Sequence, residues 1–68
     1  MFENIKFGDL YKTRDNRKAV FVGKCEDKDW YLFHVEGEGM SFMYTEDGKI
    51  LGNHEIDTEW DEDIVSKL

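Results

Sequence analysis

Apolar residues gather in a few short stretches separated by turn-forming residues, and the densest stretch is Ala19-Val20-Phe21-Val22-Gly23. Ala19, Phe21 and Gly23 fall on one face of an extended chain, Val20 and Val22 on the other. A run apolar on both faces predicts a central strand with packing on each side. Its β-branched and aromatic residues, followed by Gly23, argue against a helix. Upstream, Leu10-Tyr11-Lys12-Thr13 alternates as a half-buried strand does. Asp15-Asn16 lies between the two runs and tolerates left-handed backbone angles, so a tight hairpin joins them.

The rest of the chain follows the same grammar. Phe2 to Phe7 predicts a short first strand or lead-in, broken by Gly8-Asp9. Glu26 to Asp29 is a charged connection short enough to join antiparallel neighbours. Trp30 to Glu36 predicts a strand with Trp30, Leu32 and His34 opposed to Tyr31, Phe33 and Val35. After the Gly37-Glu38-Gly39 turn, Met40 to Thr45 predicts another, with Met40, Phe42 and Tyr44 on one side. Asp47-Gly48 is the strongest hairpin signal, leading to a short return strand at Ile50-Leu51. Glu55 to Thr58 has an extended pattern. Beyond it two readings compete. Thr58 capping a helix would align Trp60, Ile64 and Leu68 on one stripe, whereas a strand at Asp63–Ser66 would close the sheet. The closing strand, with at most one helical turn before it, is favoured because an open sheet exposes an edge.

Five or six short strands joined by tight turns predict a mostly β fold in one domain. The expected form is a small antiparallel bent sheet or partly open barrel, most specifically Src-homology-3-like, with the oligonucleotide-binding barrel second. A chain of 68 residues buries only about 60 % of its unfolded surface, so its ten aromatic residues are needed as core. The lone Cys25 cannot form an internal disulfide, which favours a reducing compartment. With no leader pattern and no apolar run near twenty residues, the expected location is the bacterial cytosol rather than a membrane.

Charge is uneven. Residues 1–25 carry six Lys/Arg against three acids, and residues 26–68 carry thirteen acids against three Lys, within a net charge of −7. The halves pair partly across neighbouring strands, or they present an acidic face to a basic partner. Duplex DNA is disfavoured as a partner, since phosphate neutralisation needs a basic surface.

Three segments, TRDNRKAVFVG at Thr13–Gly23, YTEDGKILGN at Tyr44–Asn53 and DIV at Asp63–Val65, together resemble a broad group of very small bacteriophage and prophage proteins. That group usually has glycine where this chain has Asn16. The resemblance covers about half the chain in pieces, and its motifs are turn and core signatures. It implies a phage-type small β domain of unassigned function.

No motif specifies a reaction. Cys25, His34 and His54 lack the paired close spacing of a zinc site, and no cofactor is expected. Ser41 and Ser66 sit in no nucleophile turn, and Gly37-Glu38-Gly39 lacks the Lys-Ser/Thr pair of a phosphate loop. The chain is expected not to be an enzyme. Asp57, Glu59, Asp61 and Asp63 would share one face of an extended strand, as a solvated face or as a mimic of a phosphate backbone. The leading expectation is an interaction module that binds a host or phage protein through these four acids, with Trp60 as aromatic anchor. The alternative is a single-stranded nucleic-acid-binding barrel using Arg14, Arg17 and Lys18 with exposed rings. A structural phage protein that self-associates into a homo-oligomer is the third.

Overall fold

A computed structural model describes residues 1–51 and 60–68. Five strands are present: β1 (Leu10–Thr13), β2 (Lys18–Lys24), β3 (Trp30–Val35), β4 (Ser41–Thr45) and β5 (Ile64–Lys67). All pairs are antiparallel, in the order β4-β3-β2-β1-β5, and there is no helix among the described residues. The sheet curls into a half-barrel. Its ends approach each other where the Ile64 amide donates to the Gly48 carbonyl at 2.8 Å. The bent-sheet expectation is what forms, with the first run and the last strand flanking β1.

Alternation decides which side chains enter the concave face. Tyr11, Ala19, Phe21, Tyr31, Phe33, Val35, Tyr44 and Ile64 are buried there, and Phe2 caps them from the N-terminal lead-in. Phe33 is the hub. Its ring lies 5.2–5.5 Å from those of Phe2, Tyr11, Phe21 and Tyr44, with edge-on geometry to Tyr11 and Tyr44. Such contacts are favourable beyond the area they bury.

Two turns repeat one design. At Thr13–Arg17 and Thr45–Lys49 the threonine amide bonds the carbonyl of the last residue, at 2.9 and 2.8 Å. The fourth residue bonds back to the threonine carbonyl and takes a positive φ: 70° at Asn16 and 85° at Gly48. Each threonine hydroxyl also accepts the last residue's amide. Asn16 thus adopts the left-handed angle that glycine would fill more readily.

Several expectations change. Of the two readings of Phe2–Phe7, strand or lead-in, the lead-in is what forms, irregular with Asn4 at φ 56°. The third strand ends at Val35, the fourth begins at Ser41, and the return strand reduces to one bridge from Ile50 to Tyr44. The closing strand runs from Ile64 to Lys67, one residue later than the pattern places it, preceded by a turn at Asp61–Glu62. A register shift between Phe21 and Gly23 sets Gly23 opposite Leu32, so Gly23 joins the convex face. β2 is central, yet only its concave side packs a core; Val20 and Val22 stay half-buried. The extended pattern at Glu55–Thr58 and the Thr58 cap lie outside the described residues.

Candidate functional site

The two charged regions singled out by sequence meet in space. The turn before β5 is clamped between the repeated hairpins: Arg14 N donates to Asp63 O at 2.8 Å and Asp15 N to Asp61 O at 3.1 Å, while Ile64 N reaches Gly48 O on the other side. Register dictates this, because β5 pairs with β1 immediately before the first hairpin.

Asp63 fastens the clamp. It is 1 % exposed; Oδ1 accepts the Ile50 amide and Oδ2 the Trp60 amide, both at 3.0 Å. Arg14 and Lys49, one from each hairpin, place cationic nitrogens 3.6 and 3.7 Å from Oδ2. A buried carboxylate is tolerated when its oxygens are hydrogen-bonded and its charge is compensated. Asp63 therefore holds the fold and is not part of an exposed acidic row. Alternation placed it on that row; the turn at Asp61–Glu62 rotates it inward.

Arg17 gathers the rest of the network. Its guanidinium bonds Asp15 at 2.9 Å and Glu38 at 2.7 Å, and Glu62 lies 3.6 Å away. The bonds it donates to Asp15 and Glu38 push the Arg17 guanidinium pKa above its ordinary value. The Arg17 bond, then the Thr13 hydroxyl, hold the Asp15 carboxyl below the carboxylate range. The Tyr44 hydroxyl donates to Glu62 O at 2.7 Å, and burial foremost, then the Glu62 and Asp63 carboxylates, raises its pKa above the ordinary phenol value.

Trp60 sits on this clamp and is 41 % exposed. Its amide is held by Asp63 and its carbonyl by the Arg14 side chain at 3.3 Å. Asp61 beside it is exposed. Asp57 and Glu59 lie outside the described residues. Arg14 and Arg17, proposed from sequence as nucleic-acid contacts, are thus engaged by acids, and Lys18 sits apart at the start of β2. The pairing of the basic N-terminal part with the acidic remainder was legible in the charge asymmetry. The T-x-D-[N/G]-[R/K] repeat, at Thr13–Arg17 and Thr45–Lys49, was legible as two like turns, but no sequence signal placed Asp63 between them.

The remaining candidates offer little chemistry. Tyr31 and Tyr44 are core, whereas Trp30 is 36 % exposed. His34 is exposed on β3, its Nε2 at 3.1 Å from Glu38 O. No group of three or more His, Cys, Asp or Glu among the described residues is placed to hold a metal ion. A depression of about 130 Å³ lined by Met1, Phe2, Glu3, Tyr31 and Glu46 is smaller than the roughly 300 Å³ at which ligand pockets begin. No helix among the described residues is long and apolar enough to cross a membrane. Comparison with protein-family models, curated proteins and solved structures finds no match to this chain.

Proposed function

We propose that this chain is a non-enzymatic interaction module of phage or mobile-element type, whose Trp60 end docks into a basic, apolar recess of a host or phage protein. The observation that carries this reading is the exposed Trp60 on a backbone fixed at both its amide and its carbonyl. A large side chain on a backbone that is already fixed leaves only its own rotamer freedom to lose on binding, and tryptophan recurs at the centres of interfaces. The net charge of −7 favours a basic partner through long-range attraction. The pairing of the last strand with the first supports including a Src-homology-3-like barrel in the same proposal.

The test is a tagged pull-down from nuclease-treated bacterial lysate, read by mass spectrometry, with Trp60→Ala and Asp61→Asn as comparators. One protein recovered in near-equal amount with the native chain, and lost with Trp60→Ala, is the expected result. A native bait that retains nothing, or a partner that both variants retain fully, overturns the reading.

A further inference from the structure

The convex face of the sheet differs in charge from the rest of the molecule. None of the five strands contains Asp or Glu, although the chain has sixteen; the ionisable side chains on the strands are Lys12, Lys18, Lys24, Lys67, His34 and the core tyrosines. Register arranges the convex residues in rows. Met43 stands opposite Leu32, which faces Gly23 beside Val22. Ser41 faces His34, which faces Val20, which faces Leu10. Along one border run Lys18 and Lys12, paired with each other across β2 and β1. Along the other lie Trp30 and Thr45, with Lys28 Nζ 5.9 Å from the Trp30 ring and the acids Asp29 and Glu46 next to them in the chain, so only the Lys12/Lys18 border is cationic.

These aliphatic side chains lie outside the core cluster and remain half-buried, with Leu10 41 % exposed. Arg14 and Arg17 are engaged by acids, but Lys12 and Lys18 make no ion pair among the described residues. The first acid beyond the Lys18 border is Glu36, just past the end of β3. Among the described residues, the strands of an acidic chain thus present a convex face without a carboxylate of their own, bordered on one side by two ammonium groups.

We propose that this convex face is a second docking surface, and that its occupant is an acidic amphipathic helix from another protein. The size suits a helix. Rows two residues apart lie about 7 Å from each other, and four strands span about 14 Å. One helix, about 10–12 Å across with its side chains, covers both rows over two to three turns, its apolar stripe on Met43, Leu32, Val22, Val20 and Leu10. Acidic residues on one flank of its apolar stripe then face Lys12 and Lys18. Added-strand binding is less suited to this face, because Leu51 N bonds Met43 O at 2.7 Å and so occupies part of the β4 edge. A second copy in face-to-face contact would set lysines against lysines. This surface is independent of the Trp60 reading.

The probe is an 18-residue labelled helical peptide with leucines at i, i+3, i+4 and i+7 flanked by glutamates, beside a twin flanked by lysines. Anisotropy at low salt gives affinities, and amide shifts in two-dimensional NMR give the site. The glutamate peptide is expected to bind at least tenfold more tightly than its twin, shifting Leu10, Lys12, Val20, Leu32, His34 and Met43. Lys12→Glu/Lys18→Glu should reverse that preference, Leu10→Ser should weaken both peptides, and Trp60→Ala should change neither. The NMR spectrum of each free variant reports whether it is folded. Equal affinities, no binding of either peptide, or shifts elsewhere overturn the proposal. So does a native mass that rises with concentration and is restored to one chain by Leu10→Ser, which would assign the face to a second copy.

Discussion

Replacing Asp63 by asparagine keeps the shape of the side chain and removes half of what it does. The two carboxylate oxygens accept different amides, Ile50 on Oδ1 and Trp60 on Oδ2. Asparagine can accept one; its NH₂ group then faces the other amide, donor against donor. Hydrogen bonds to charged groups contribute about 1.5–3 kcal/mol, and a buried amide left unpaired costs about 1–3 kcal/mol. Arg14 and Lys49 add less, because their side chains are 35 % and 41 % exposed and each pair is screened to under about 1 kcal/mol. The expected loss is therefore about 2–4 kcal/mol. For a chain of this length total stability is roughly 3–10 kcal/mol, so the change removes a large part of it. Urea unfolding followed by tryptophan fluorescence measures it directly. With a slope near 1 kcal/mol per molar, the midpoint falls by roughly 2–4 M, and a variant at the low end of stability has lost its near-ultraviolet circular dichroism in buffer. Asp61→Asn, an exposed acid two residues away, is the control, expected within about 0.5 kcal/mol of the native chain. If Asp63→Asn also stays within about 0.5 kcal/mol, the clamp described for Asp63 is wrong.

Three further outcomes are expected. Tyr44→Phe leaves the Glu62 carbonyl without its donor and costs about 0.5–1.5 kcal/mol at neutral pH. Because the folded Tyr44 pKa is raised, its contribution is complete below pH ~10 and is lost as pH rises through the folded value. Urea midpoints above that pH should fall faster for the native chain than for Tyr44→Phe, and parallel curves would contradict the burial of this hydroxyl. Gly48→Ala would set a methyl against the Ile64 carbonyl oxygen at φ 85°, and a left-handed angle alone costs an alanine about 1–2 kcal/mol. It should lower the thermal midpoint sharply, while Gly39→Ala, with open space and no positive φ, leaves it nearly unchanged. Asp15 has a lowered folded pKa, so its contribution is present above the unfolded value near ~3.9 and disappears as pH falls through the folded one. The stability difference between the native chain and Asp15→Asn should shrink on acidification below pH 4, and a constant difference would refute that assignment.

The sequence by itself determined the five strands to within a residue or two at their ends and, apart from Gly23, their facing. Period-two alternation put Tyr31, Phe33 and Val35 inside β3, and Asp-Asn and Asp-Gly announced the hairpins, because both signals are local: pleat parity and left-handed tolerance act within a few residues. The tertiary structure decided what happened to the charges. Arg14, Arg17 and Lys18 read as one basic cluster, yet the guanidinium groups were drawn to Asp15, Glu38 and Asp63 while Lys18 went to the convex face. Asp61 and Asp63 read as neighbours on one acidic row, yet one is exposed and the other buried. The fate of a charge depends on which segments the register brings beside it, across 46 residues of chain between Arg14 and Trp60. That the strands carry no acid was likewise latent in the sequence and became a property of a surface only when they aligned. Within an unbroken strand, alternation fixes which side a residue takes. Only packing decides whether that side meets core, counter-charge or solvent.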